Sequence, residues 1–320
     1  MGRDARLQLK RYERNPLIAP RPGVEWEHRG TFNPGAVGDS WGRVHILYRA
    51  VDSNGTSRLG YASTADGAGV TFRSLHPVFS PSLTLEEFGC EDPRLTRLDD
   101  VFYATYTAFS RQGPRIGIAS TTDFSEFKKL GIVGPNADDK DFVLFPERID
   151  GKVAALHRLG TTIQIAYFDD IRSLVDSEKF WSSYIEHVED HTILRGKQPW
   201  ETWKVGAGPP PVKTARGWLL IYHGISANRV YSAGAALLDL KNPSVVLART
   251  RTPILIPETT YEREGVVPNV VFPCGNVVHD GTLTVYYGGA DAVCGAATVS
   301  LEKFLDDLVS ENPEYKVEER

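Results

Sequence analysis

The sequence predicts an all-β fold, a five-bladed β-propeller with a short helical insert and terminal extensions. Five segments share one grammar: a polar or Gly turn, then an apolar-aromatic strand ending in polar residues. They are GRVHILYRA (42–50), DVFYATYTA (100–108), GKVAALHR (151–158), GWLLIYHG (217–224) and GTLTVYYGGAD (281–291). Their starts lie roughly 50–65 residues apart, the size of one four-stranded blade. The 29 Gly and 20 Pro among 320 residues suit a chain with many turns. A sandwich with evenly spaced turns is the plainer alternative, but five copies of one pattern exceed what turn spacing alone produces.

Each repeat is preceded by a proline-bearing segment, in order FNPGAV, EDPRLTRL, LFPERI, PPPVKT and VFPCGNVV. Most are followed by a third alternating strand: RLGYAST, RIGIAST, TIQIAYF and AGAALLDL. Between the third and fourth repeats, residues 174–190 place Leu174, Phe180, Trp181, Tyr184, Ile185 and Val188 on one face, which predicts an amphipathic helix. The tail VSLEKFLDDLVSENPEYKVEER predicts another short helix that then frays. Length alone suggests about two domains; the repeats instead predict a single domain spanning 1–320.

Composition excludes several classes. A 41% hydrophobic, 24% charged chain has enough apolar surface to fold, and a net charge of −5 offers no basic field for nucleic acid. No apolar run approaches the ~18 residues of a membrane span, and the polar start MGRDARLQLKRYERN lacks the apolar segment of a signal peptide. Cys90, Cys274 and Cys294 are odd in number and scattered, which predicts reduced thiols in a cytoplasmic protein and no structural zinc. No H-E-x-x-H, G-x-S-x-G or P-loop is present.

In a propeller, equivalent strand ends converge on the central channel. Counting seven from each repeat start gives Arg49, Thr107 and Arg158, with His223 one residue earlier in the fourth repeat and Asp291 just beyond the fifth. The proline segments add Asn33, Glu91, Asp92 and Glu147. So many charges are costly to bury unless they are paired or face a polar ligand. A polar ligand site at the channel mouth follows.

Taken singly, each candidate has a plainer reading. Asp92 precedes a proline, as turn residues do. Lys140, in NADDKDF, reads as a solvated charge. His157 and Arg158 are strand neighbours, so one of them should face outward. Lys204 follows the aromatic pair of WETWK, and His223 could be a satisfied core histidine. Cys90 has no evident base partner for nucleophilic work.

At G-C-E-D-P-R-L (89–95) the chain resembles glycoside hydrolase family 130, the inverting β-mannoside phosphorylases and their few hydrolytic relatives. The resemblance runs nearly end to end, through NPLIAP (15–20), FNPGAV (32–37), ILYRA (46–50), SRLGYA (57–62), GPRIGIASTTDF (113–124), KDFVLFPERIDGK (140–152), LHR (156–158), KVGAGPPPV (204–212), VVFPCG (270–275) and YYGGAD (286–291). It implies a five-bladed propeller and phosphorolysis of a β-mannoside to α-mannose 1-phosphate. No metal or cofactor is implied; inorganic phosphate is a co-substrate. Asp92 matches the family's general acid, thought to act through the mannose 3-hydroxyl. Asn33, Arg49, Arg58 and Asp291 match the mannose site. Lys140, Arg158, Lys204 and His223 match phosphate ligands, with Tyr231 a further candidate. Family members are often oligomers, so a homo-oligomer is left open, with the N-terminal arm and the 174–190 helix available for contacts.

The chemistry agrees. Inverting hydrolysis needs two carboxylates, one of them to activate water. Phosphate is already an anionic nucleophile and needs cations instead. Asp141, beside Lys140, is the residue that does not fit a phosphate site, and it either points away or contacts sugar. Glu147, Glu262 and Glu264 are the candidate bases for the alternative reading, an inverting β-mannosidase. A non-catalytic carbohydrate-binding propeller is the third. The linkage (β-1,2 or β-1,4) and the acceptor stay open, because loops set them.

Overall fold

The structure is a computed structural model describing residues 7–65, 67 and 69–314. A two-residue strand, β1 (Lys10–Arg11), comes first in the chain. Blade 1 follows as β2 (Gly30–Gly38), β3 (Val44–Val51), β4 (Ser57–Thr64) and β5 (Val70–Arg73), and blade 2 as β6 (Gly89–Leu98), β7 (Val101–Ser110), β8 (Gly113–Thr121) and β9 (Lys128–Ile132). Blade 3 is β10 (Asp139–Leu144), β11 (Val153–Leu159), β12 (Ile163–Phe168) and β13 (Thr192–Leu194). Blade 4 comprises β14 (Lys204–Ala207), β15 (Val212–Thr214), β16 (Gly217–Ile225), β17 (Tyr231–Leu238) and β18 (Val246–Arg249). Blade 5 is β19 (Val271–His279), β20 (Thr282–Gly289) and β21 (Val293–Ser300). Its outer edge is covered by β1, which pairs antiparallel with β21 (Lys10 opposite Thr298), so the two ends of the chain close one blade. The fold is a five-bladed β-propeller.

All five repeats land on the second strand of a blade. The proline segments correspond less evenly. In blade 3 the inner strand is Asp139–Leu144, and Pro146 already lies beyond it. In blade 4 the run 209–211 divides the inner strand into β14 and β15, because proline has no N–H for the ladder.

The predicted single helix at 174–190 is broken. It is α1 (Ile171–Val175), capped by the Asp170 side chain on the Ser173 N–H, then α2 (Glu178–Glu186) and a 3-10 turn (Val188–His191). Asp176 and Ser177 interrupt it, and Ser177 Oγ donates instead to the carbonyl of Val133. Leu174, Trp181 and Tyr184 are buried in the blade 3 core, with Phe180 and Val188 packed partly against it, but Ile185, expected on the same face, is exposed because the break shifts the face. A four-residue helix, α3 (Thr260–Arg263), leads into blade 5, and α4 (Leu301–Ser310) buries Phe304, Leu305 and Leu308. The frayed end expected for the tail lies outside the described residues. Among the described residues no helix is long and apolar enough to cross a membrane, and Cys90, Cys274 and Cys294 are buried and unpaired.

Four blades share a buried device invisible in composition. A glutamate just before the inner strand (Glu27, Glu86, Glu201, Glu262) is fully buried. It accepts a hydrogen bond from the tyrosine of the second strand: Tyr48 at 2.8 Å, Tyr106 at 2.6 Å, Tyr222 at 2.9 Å and Tyr287 at 2.8 Å. A cation from the outer strand or the segment beside it (Arg73, Lys129, Arg249, Arg11) completes each ion pair. Opposite every tyrosine is a glycine (Gly60, Gly117, Gly234, Gly295), where a Cβ would strike the ring. Blade 3 uses His157 instead, held between Asp139 and Tyr184 of α2.

Candidate active site

Three inner strands are interrupted in the same way. Register slips between Phe32 and Gly35 in β2, between Glu91 and Arg94 in β6, and between Lys140 and Val143 in β10. One residue inside each slip has a positive φ: Asn33 at 50°, Asp92 at 50° and Asp141 at 57°. Asn and Asp enter this left-handed region more readily than other residues with a Cβ, and a bulge re-aims the side chain it carries. The two-residue alternation therefore fails at these points, and Glu91 with Asp92, like Lys140 with Asp141, join one network of charges.

On the second strands the pairing sets Arg49 opposite Phe32, Thr107 opposite Glu91, Arg158 opposite Lys140, His223 opposite Gly206, and Gly288 opposite Phe272. His223 thus occupies the same register position as Arg49 and Arg158, without the one-residue offset counted along the sequence. At Gly288 a side chain would collide with the Asn33 amide, so the glycine makes the room in which Asn33 sits.

Asp92 Oδ1 accepts from Asn33 Nδ2 at 2.8 Å and Arg49 Nη1 at 3.2 Å. Arg49 also donates to Glu91 at 2.6 Å and Ser57 at 2.9 Å, and Lys140 Nζ is 3.7 Å from the other Glu91 oxygen. Arg94, with a side chain only 2% exposed, runs beneath: it donates to the Asp92 carbonyl at 2.6 Å and to Asp141 Oδ1 at 3.1 Å. Asp141 Oδ2 accepts from Arg158 Nε at 2.6 Å and lies 3.7 Å from His223 Nε2. Tyr231 and Phe272 stand beside His223, at 6.3 and 4.5 Å between ring centroids. Lys204 lies 4.0 Å over the Trp203 ring, with Arg229 also against that ring.

The charges are tuned accordingly. Burial alone would raise the Asp92 carboxyl, but Arg49, Lys140 and Arg94 outweigh it and hold it below the usual carboxylate range. Burial pushes Asp291, another positive-φ residue, up to about 6 against the pull of Arg49. Burial brings His223 down to about 3, and it lowers Lys204 with help from Arg158. His223 is therefore a neutral imidazole. Its Nδ1 and the Asn33 Oδ1 are buried without a hydrogen-bond partner in the structure. Buried polar atoms are almost always satisfied, so these two are exceptions, and both belong to residues of the candidate site.

The model of glycoside hydrolase family 130, described as β-1,4-mannooligosaccharide phosphorylase, matches residues 8–311. The chain belongs to glycoside hydrolase family 130. It is similar to a 1,2-β-oligomannan phosphorylase of Thermoanaerobacter sp. (strain X514), with 41% identity over 92% of this chain and 98% of the relative. A β-1,2-mannobiose phosphorylase of the same organism is 36% identical over 93% of this chain and 99% of that one. Among solved structures, the Listeria innocua β-1,2-mannobiose phosphorylase in complex with β-1,2-mannobiose superposes with a TM-score of 0.80 at 29% identity, covering 94% of this chain and 99% of that one.

In this family 130 enzyme, the residues expected to hold mannose and phosphate are mostly drawn together. Asn33, Arg49 and Lys140 meet around Asp92 and Glu91, and Arg158 and His223 meet around Asp141. Lys204 and Asp291 act on these groups electrostatically, and Tyr231 stacks beside His223. Arg58 does not join them: strand alternation turns Ser57 toward Arg49 and gives Arg58 to Asp52 at 2.6 Å. Of the suggested bases, Glu262 is consumed by Arg11 and Tyr287. Glu147 follows the end of β10 and pairs with Lys213, so it does not converge with Asp92. His157 and Arg158 do part as expected, His157 into the core and Arg158 toward Asp141. Sequence reasoning missed Arg94 as a site residue, although it stands in the E-D-P-R motif. It also left the direction of Asp141 open. Among the described residues, no group of three or more His, Cys, Asp or Glu side chains could hold a metal ion.

Proposed function

We propose that this enzyme is an inverting β-mannoside phosphorylase that acts on β-1,2-linked mannooligosaccharides and yields α-mannose 1-phosphate, with phosphate as co-substrate and no cofactor. One observation carries the reading: Asp92 stands in a site whose other inward groups are chiefly cations and donors (Arg49, Arg94, Lys140, Arg158, Lys204), as an anionic nucleophile requires. The β-1,2 linkage is supported by the names of the two Thermoanaerobacter relatives.

Asn33, Arg49 and Asp291 orient the mannose around Asp92; Arg158, Lys204, His223 and Tyr231 receive phosphate around Asp141, with Lys140, beside Glu91 and opposite Arg158, between the two groups. Asp92 starts as a carboxylate, suited to act as base in the synthetic direction. A phosphate anion bound beside Lys140 and Arg158 offsets the positive charge holding Asp92 low. The carboxylate can then take up the proton that cleavage needs.

The test is incubation of β-1,2-mannobiose with and without phosphate. Phosphate-dependent formation of α-mannose 1-phosphate is expected, and α-mannose 1-phosphate with a mannose acceptor should regenerate the β-mannoside. Full-rate release of free mannose without phosphate identifies a hydrolase and overturns the reading, as does synthesis from β-mannose 1-phosphate.

Two further results are expected. Arg158→Ala and Lys204→Ala each remove a charged contact worth ~1.5–3 kcal/mol, and should raise KM for phosphate more than KM for the mannoside. Equal effects on both substrates would assign them to sugar binding or the fold. For Asp291, the ionised form accepts hydrogen bonds from sugar hydroxyls and predominates above its pKa of about 6. kcat/KM for the mannoside should therefore rise from about pH 5 to 7, and Asp291→Asn should flatten that limb. A limb unchanged in the variant would assign the titration elsewhere.

A further inference from the structure

A carboxylate inside an anion site is unexpected, because it repels the ligand. Asp141 is nonetheless built in by three separate backbone features. The bulge at φ 57° turns it inward beside Lys140 rather than outward. The pairing of Lys140 with Arg158 brings the guanidinium onto it. Gly206 supplies the space, since a Cβ there would fall on Asp141 Oδ2 and the His223 ring.

What Asp141 does to Arg158 is specific. Asp141 Oδ2 takes Nε at 2.6 Å, and the Gly160 carbonyl takes Nη1 at 3.0 Å. Two acceptors thus fix the plane of the guanidinium and leave Nη2 for another acceptor. Its second oxygen holds Arg94, whose other end supports the backbone of Asp92. Without this carboxylate, the cations Arg94, Arg158 and Lys204 would face one another unbalanced, and a flexible arginine would turn toward solvent.

We propose that Asp141 is a positioning residue for the phosphate reaction, holding Arg158 in the orientation that receives the anion and tying it through Arg94 to the acid Asp92. This rests on the phosphorylase reading above. Burial would raise the Asp141 carboxyl, but the Arg158 and Arg94 guanidiniums keep it well below the usual range, so the clamp persists across the working pH.

The experiment is a cycle of Asp141→Asn, Arg158→Ala and the double variant, assayed in both substrates, with wild-type formation of α-mannose 1-phosphate as the control. If the wild type fails that control, the phosphorylase reading itself falls. If it passes, Asp141→Asn should raise KM for phosphate by roughly tenfold or more while moving KM for the mannoside less than about threefold. In the Arg158→Ala background the same change should add little, because coupled residues are not additive. Arg158→Lys, which keeps the charge and loses the fork, should show the same phosphate-selective rise, and it serves if Asp141→Asn does not fold. A lower KM for phosphate in Asp141→Asn, equal changes for both substrates, additive effects in the cycle, or wild-type kinetics in Arg158→Lys would each overturn the proposal.

Discussion

Asp92→Asn is expected to keep the fold and to lose phosphorolysis by roughly 10²–10⁴-fold, the usual worth of general acid catalysis. The amide is nearly isosteric and can still meet Asn33 and Arg49, so the bulge and its φ of 50° should survive, asparagine being equally at home there. What disappears is the transferable proton. The synthetic direction should fall in parallel, since one group must act as acid in one direction and base in the other. The measurement is kcat in both directions with melting temperature as the control for folding. Unchanged turnover would remove Asp92 from its role.

The second large effect concerns stability. Glu262→Ala is expected to destabilise the enzyme by about 3–5 kcal/mol, the range for stranding one partner of a buried ion pair. Glu262 is fully buried and accepts from Arg11 Nε and Nη2, each at 2.8 Å, from Tyr287 at 2.8 Å, and from the backbone N–H groups of Glu258 and Thr259. Its loss would strand these donors and loosen β1, the strand that closes blade 5. Glu147→Ala removes a carboxylate from an exposed pair with Lys213 and should cost no more than about 1 kcal/mol. Urea unfolding of both variants measures the contrast. Similar losses would show that the buried pair does not hold blade 5 closed.

Much of the site was legible because repeats convert sequence spacing into proximity. Arg49, Arg158 and His223 were found by counting along repeats, and the register confirms their equivalence. Asp92 was found in E-D-P-R. The glutamates at 27, 86 and 201 were missed, although each stands three residues before its inner strand, and Glu262 was read as a candidate base rather than as a member of this set. Single charged residues in loops read as solvated; the spatial repetition of a tyrosine over a glycine is what makes them a set. Arg58 and Glu147 take partners the sequence did not indicate, Asp52 and Lys213, because proximity to a motif in sequence does not tell which strand face, or which end of a blade, a side chain takes.

The sequence by itself determined the architecture. Alternation, glycine and proline turns and five similar segments specify strands and blades through local preferences and periodicity, which need no partner to be read. Tertiary structure alone decided three things: that β1 returns to close blade 5, that the helical insert breaks at 176–177 to meet the carbonyl of Val133, and that Asp141 faces Arg158. Each depends on a contact between distant segments. The last also depends on a bulge that reverses the face of a side chain, and a period-two pattern cannot register one extra residue until its partner strand is in place.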